Sequence, residues 1–187
     1  EATLTNSNPI LHPSRIFGML SDHVGDLYDR EYLFYEEWDE KSSDVLIQCD
    51  TEFQQIVNKL PIHQDEIPCL LDYYESTDVQ SLTQKIRSIQ AFKGIKMCMI
   101  PQENGQFAID YSNRYFTEDI PYGLLIIKSL GLLLEVPTPT IDQVIYWTQE
   151  HMGKCYLVEG QLTGKDIKES GVVSNYQVHS LTSLLNL

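Results

Sequence analysis

His12, Arg114 and Asp119 are of types that together suit acid–base chemistry on a small organic acid. A histidine titrates near neutral pH and can exchange a proton with a substrate. A carboxylate can orient the imidazole ring and stabilise its charged form. An arginine can bind a substrate carboxylate through two parallel hydrogen bonds. The three residues would therefore form a physically sensible set if the fold brought them together.

Arg114 and Asp119 lie in a polar lead-in to the most apolar stretch of the chain, residues 113–134. Apolar residues recur there at helical spacing, and much of the opposite face is apolar as well, which is typical of a buried helix. The stretch is too short to span a membrane. We therefore predict a central buried helix with Arg114 and Asp119 at its mouth. The apolar positions are Ile120, Leu124, Leu125, Ile127, Gly131, Leu132, Leu133 and Leu134.

His12 immediately precedes Pro13, which favours a helix from Pro13 to about Leu20 because proline suits the first helical turn. His12 would then lie just before this helix, free to point into a cleft. The remaining pattern predicts a mainly helical, all-α chain of seven or eight helices with minor extended segments. We expect helices from Cys49 onward, over residues 67–74, after an N-cap at Ser81, after a Thr138 cap, and, as a short helix, over residues 163–169. We also expect a tight turn at residues 104–105 and a short strand at residues 155–158.

Structural roles are available for the same residues. Asp119 could be an N-cap that accepts from the Tyr122 N–H. Arg114 could be a surface residue or a structural ion-pair partner. A single histidine before a proline is more often structural than catalytic, so spacing alone leaves these alternatives open.

Composition and motifs exclude several classes of function. The net charge of −14 argues against nucleic acid and against anionic membranes as partners. The five histidines show no metal-ligand spacing, either among themselves or with a cysteine. Residues 160–165 have one residue too few between their glycines for a phosphate-binding P-loop, and neither a G-x-G-x-x-G nor a G-x-S-x-G motif is present.

The N-terminal residues and the cysteines predict a cytoplasmic location. Residues 1–13 have neither a basic start nor a long apolar run, unlike a signal peptide. The four cysteines are widely spaced, which favours free thiols in the cytosol. The Thr-, Asn- and Ser-containing start is typical of a linker.

The sequence resembles the C-terminal domain of the opine dehydrogenases, such as the octopine, tauropine, alanopine and strombine enzymes. The similar segments are H-P-S-R at residues 12–15, R-Y-F-T-E-D-I-P-Y-G-L at residues 114–124, and V-P-T-P-T-I-D at residues 136–142. The resemblance follows essentially the whole chain in order. The E-D-I-P-Y-G-L run is its most specific part.

This resemblance implies an all-helical domain like the C-terminal domain of 6-phosphogluconate dehydrogenase, spanning residues 13–187. Residues 1–12 would be the linker from an N-terminal Rossmann domain that binds NADH. The implied reaction condenses an amino acid with pyruvate or another 2-oxo acid through an imine. His12 matches the catalytic histidine of the family, Asp119 its acidic partner, and Arg114 a substrate-binding arginine.

The same resemblance implies that the chain by itself is inactive, because hydride transfer needs the nicotinamide placed against the substrate. No residue of this chain is predicted to bind the cofactor or a metal. A second hypothesis of another class is a non-catalytic helical domain for dimerisation or partner binding, in which His12 and Asp119 are structural. The two hypotheses differ in whether His12 and Asp119 share an open cleft with Arg114.

Overall fold

The fold is built around two long helices, α1 (Asn8–Leu20) and α2 (Glu40–Val57), which pack closely along their length. Their approach is close enough to require glycine at position 18. A Cβ atom built on Gly18 would lie 2.6 Å from the Ser42 Cα, nearer than two such carbons can come. Burial of Ile16, Leu46 and Ile56 completes the interface.

The computed structural model describes residues 4–23, 25, 27–62 and 66–185. Residues 1–3 of the predicted linker and His63 lie outside the described residues. Eight α-helices in the described ranges confirm the all-α prediction. Besides α1 and α2 they are α3 (Leu70–Tyr73), α4 (Val79–Ser88), α5 (Arg114–Thr117), α6 (Leu125–Leu133), α7 (Pro139–His151) and α8 (Leu181–Leu185). Short 3₁₀ turns occur at Gln90–Phe92, Ile167–Glu169 and Val173–Tyr176.

The prediction that the first helix begins at Pro13 was wrong, because α1 begins at Asn8 and contains Pro13. The N–H groups of Ile10 and Leu11 both donate to the Ser7 carbonyl, at 3.0 and 2.9 Å, which starts the helix earlier. Proline in a helix interior removes one backbone hydrogen bond. Burial of the residues before it offsets that loss, so tertiary packing overrides the local preference.

Side-chain caps also place two other helices earlier than predicted. The helix expected after Cys49 begins at Glu40, where Asp39 accepts from the Ser42 N–H at 2.7 Å. Helix α4 is capped by Asp78, not Ser81. The Ser81 hydroxyl instead accepts a hydrogen bond from the Asp78 N–H, which completes a capping box.

A small antiparallel sheet lies beside the helices, with strand order β1 (Leu27–Tyr28), β3 (Phe107–Ile109), β2 (Met99–Pro101). Its registers pair Leu27 with Ala108 and Met99 with Ile109. Strands β2 and β3 form a hairpin whose turn contains Gly105 at φ +79°. The predicted tight turn is therefore confirmed.

The central stretch is buried as predicted, but it is not one helix. After α5, Ile120–Leu124 forms a π-helical turn that leads into α6. Proline has no N–H, and its ring clashes with the carbonyl four residues earlier, so Pro121 prevents α5 from continuing. The Leu124 N–H instead reaches back five residues to the Asp119 carbonyl, at 2.8 Å.

Helix α7 is held at its N-terminus by α2, not by a Thr138 side-chain cap as predicted. The Glu52 carboxylate accepts from the Thr140 and Ile141 N–H groups at 2.7 and 3.0 Å. A carboxylate there also complements the positive end of the helix dipole.

The C-terminal predictions were only partly correct. The strand expected at residues 155–158 is a single β-bridge between Val158 and Gln161. The short helix expected over residues 163–169 is limited to the 3₁₀ turn Ile167–Glu169. No helix in the described part of the chain is long and apolar enough to cross a membrane.

We expect Gly18→Ala to lower the free energy of unfolding by about 1–3 kcal/mol, because the added methyl group forces α1 and α2 apart. Urea unfolding followed by circular dichroism would measure the loss. Gln84→Ala, at an exposed position of α4, is the control and should change stability little. An unchanged Gly18→Ala midpoint would contradict the close helix contact.

Candidate functional site

A buried hydrogen bond joins His12 of α1 to Asp119, 107 positions later in the chain. The His12 Nδ1 lies 2.7 Å from the Asp119 Oδ2, and the two residues are only 5% and 7% exposed. A carboxylate accepts hydrogen bonds, so the proton on this side of the ring is on Nδ1 and is donated to Asp119. This arrangement fixes both the orientation and the tautomer of the imidazole.

The π-helical turn places Asp119 against His12. Gly123 within this turn contacts the first turn of α1, where a Cβ atom would lie only 2.6 Å from the Pro9 Cβ. The side chain of Asp119 makes no helix cap, and the Tyr122 N–H donates to the Glu118 carbonyl instead. The N-cap interpretation of Asp119 is therefore wrong.

Tyr35 holds the other nitrogen of the ring. Its hydroxyl lies 3.1 Å from the His12 Nε2. In the neutral ring this nitrogen carries the lone pair, so Tyr35 is the donor. Burial raises the pKa of the Tyr35 hydroxyl, and the neighbouring Tyr115, Tyr74 and Asp119 raise it further. The hydroxyl therefore stays protonated and can donate the hydrogen bond to His12. The imidazole is thus held on both nitrogens by side chains of this chain.

His12 and Arg114 line one open cleft of about 330 Å³, whose walls come from α1, the segment before β2, and the start of α5. Asp119 is not among the lining residues and lies behind the imidazole. The side chain of Arg114 is 61% exposed, with Glu118 as an ion-pair partner at 3.7 Å. The lining residues are Asn8, His12, Lys96, Met97, Cys98, Asn113, Arg114 and Tyr115.

Aromatic rings pack against His12, and the Cys98 thiol lines the same cleft. Its ring centroid lies 4.3 Å from that of Tyr115 and 5.5 Å from that of Phe34. Burial raises the pKa of the Cys98 thiol to about 12, so Cys98 is protonated at neutral pH and is a poor nucleophile. The geometry thus places a histidine and an arginine in the lining of one cleft.

The chain matches the model of a known family over most of its length. The model of the NAD/NADP octopine/nopaline dehydrogenase α-helical domain matches residues 1–152. The chain belongs to this family. Tauropine dehydrogenase of Arabella iricolor is 32% identical over 95% of this chain and 48% of its own length.

Solved octopine dehydrogenase structures share the fold. A complex with NADH and L-arginine superposes with a TM-score of 0.84 at 30% identity, over 95% of this chain and 47% of that protein. A complex with NADH and pyruvate gives a TM-score of 0.86 at 30% identity, over 95% of this chain and 45% of that protein. The chain therefore spans about half the length of the family members it matches.

Sequence reasoning missed Tyr35 and Arg15. Arg15 lies three residues after His12 in α1, and that spacing could have indicated a shared helix face. It is fully buried and donates to the Phe34 carbonyl at 2.8 Å, and burial lowers its pKa. No sequence signal distinguishes Tyr35 from the other tyrosines of this aromatic-rich segment.

A second cleft, of about 370 Å³, lies between residues 4–7 and helices α2 and α3. Its described lining residues include Asp50 and Glu66 and no histidine, lysine or arginine. Asp50 is engaged structurally, because it accepts from the Leu70 N–H at 2.7 Å at the start of α3. Within the described ranges, no three histidine, cysteine or acidic residues could hold a metal ion. The His12 cleft is thus the better candidate site.

We expect Tyr35→Phe to destabilise the protein by about 1–3 kcal/mol, because the His12 Nε2 would lose its buried partner. Urea unfolding measures this cost, and histidine ¹⁵N chemical shifts report the altered Nε2 environment. Tyr74→Phe is the matched control. Tyr74 is equally buried at 6%, but its hydroxyl makes no hydrogen bond within the described residues. Equal effects of the two variants would show that the Tyr35 hydroxyl does not hold His12.

Proposed function

We propose that this chain is the substrate domain of an NADH-dependent opine dehydrogenase. The reaction would be the reductive condensation of an amino acid with pyruvate or another 2-oxo acid. The observation that carries the proposal is that His12, hydrogen-bonded to the buried Asp119, lines the same cleft as Arg114. Family membership and the pyruvate complex of an octopine dehydrogenase add support.

In the proposed reaction the amine nitrogen attacks the carbonyl carbon, and the carbonyl oxygen leaves as water to give an imine. A hydride then adds to the imine carbon, and the product is a secondary amine. Arg114 would bind a substrate carboxylate and fix the reacting carbon near His12. His12 would donate the proton that converts the carbonyl oxygen into a leaving group.

Asp119 would support this step by stabilising the positive charge on His12 while the ring holds the proton. Tyr35 can hold both protonation states of His12, because its hydroxyl can donate to an unprotonated Nε2 or accept from a protonated one. Since Tyr35 occupies the Nε2 position, the substrate would either displace its hydroxyl or exchange the proton through it.

NADH, when bound, supplies the hydride. We propose that this chain does not supply the dinucleotide site, because its sequence has no G-x-G-x-x-G segment. The histidine and arginine that line the cleft suit a substrate carboxylate instead. Most of the cofactor site is therefore proposed to come from an N-terminal Rossmann domain.

Residues 1–12 are proposed as the connection to that domain, although residues 8–12 already belong to α1. The chain without the Rossmann domain is expected to be inactive. We also propose a cytoplasmic location, supported by the four cysteines, none of which is in a disulfide.

We expect His12→Ala in the two-domain enzyme to lower kcat by about 10²–10⁴-fold, the usual contribution of a general acid or base. NADH oxidation with pyruvate and a panel of arginine, alanine, glycine, taurine and β-alanine would measure it. His179→Ala, at an exposed histidine, is the control and should retain full activity. A folded His12→Ala enzyme with normal turnover would refute the catalytic assignment.

We expect Arg114→Ala to raise the KM for the 2-oxo acid or the amino acid by about tenfold or more, because a charge-assisted hydrogen bond to the carboxylate is lost. Steady-state kinetics with each substrate varied in turn would locate the effect. Arg87→Ala removes the same charge from an exposed position of α4 as a control. Unchanged KM values for both substrates would remove Arg114 from the site.

A further inference from the structure

Two cationic side chains line the His12 cleft although the protein as a whole is strongly acidic. The net charge of the chain is −14, with 27 acidic and 13 basic residues. The cleft nevertheless includes two cations, Lys96 and Arg114, and no aspartate or glutamate among its lining residues. Cationic side chains that line one cleft can bind an anion there even in an acidic protein. Arg114 alone has a proposed role, and Lys96 is left without one.

The backbone of Lys96 is tied to the segment that surrounds His12. Lys96 pairs with Leu33 in an antiparallel β-bridge, and the next N–H, of Met97, donates to the Tyr32 carbonyl at 2.8 Å. Phe34, which follows in the bridged segment, packs edge-on against the His12 ring. Lys96 is therefore placed by the same segment that encloses the imidazole, and not by a free loop.

The amino group of Lys96 can exchange its present partner for a ligand. Its Nζ lies 2.5 Å from the Glu31 Oε2, and the lysine side chain is 62% exposed. Arg114 is in a similar state, 61% exposed and 3.7 Å from Glu118. Exposed ion pairs contribute little free energy, so replacing either carboxylate by one from a ligand costs little.

We propose that Lys96 is a second carboxylate-binding residue, so that the cleft recognises an organic dianion with one carboxylate on Arg114 and the other on Lys96. The proposed function supplies the ligand class, and this inference rests on it: condensation of an amino acid with a 2-oxo acid gives a secondary amine that bears two carboxylates. One cation for each carboxylate would distinguish this product, and the imine before it, from compounds with a single acid group.

The test is a titration calorimetry comparison of two probes with the full-length protein in the presence of NADH. Iminodiacetate is a secondary amine with two carboxylates, and sarcosine is a secondary amine with one. We expect the wild-type protein to bind iminodiacetate about tenfold more tightly than sarcosine, since each tenfold step needs only one modest charge contact.

We expect Lys96→Met to abolish that tenfold preference by weakening iminodiacetate alone, while Lys96→Arg retains it. Lys93→Met is the matched control, because it removes the same charge from an exposed position three residues away and outside the cleft lining. Three outcomes would overturn the role of Lys96. They are an equal loss of affinity for both probes in Lys96→Met, an equal loss of affinity for iminodiacetate in Lys93→Met, and no loss of that affinity in Lys96→Met.

The same preparation separates this inference from the proposed function. A wild-type protein that oxidises NADH with pyruvate and an amino acid but binds both probes equally would refute the second carboxylate site alone. A protein that prefers iminodiacetate in a Lys96-dependent manner but oxidises no NADH with any amino acid of the panel would refute the dehydrogenase reaction and leave a dianion site.

Discussion

The buried guanidinium of Arg15 is the interaction on which the arrangement around His12 depends. It donates to the carbonyls of Phe34 and Glu37 at 2.8 Å each, and to Ser42 and Asp39 at 3.1 and 3.2 Å. These bonds tie α1 to the irregular segment before α2 and to the first turn of α2. A buried acceptor left without its donor costs about 1–3 kcal/mol, so this segment has one strongly favoured position.

That position decides where the polar groups of the site lie. Tyr35 follows Phe34 and reaches the Nε2 of His12, which is one helical turn before Arg15 on α1. From the other side, the π-helical turn presents Asp119 to Nδ1. The histidine is therefore preorganised by two independent parts of the chain, and its orientation does not depend on a bound ligand.

Local sequence patterns predicted the parts of the fold that burial alone decides. The apolar positions Ile120, Leu124, Leu125 and Ile127 are buried, and the turn at residues 104–105 forms a hairpin. The helix beginnings were predicted less well. Helix α1 starts before its proline because its first residues are packed in the core. Helix α7 begins at Pro139 after Thr138 as predicted, but its cap comes from Glu52, a residue of another helix. Neither contact is visible in a local pattern.

The sequence by itself determined the helical class and, through residue types and family resemblance, the selection of His12, Asp119 and Arg114. Only the tertiary structure decided that His12 and Asp119 form a buried pair, because their contact spans 107 positions and depends on a π-helical turn with no clear sequence signal. It also decided that Lys96 shares the cleft. In an acidic chain, net charge cannot reveal a local cluster of cations, since only folding brings those side chains together.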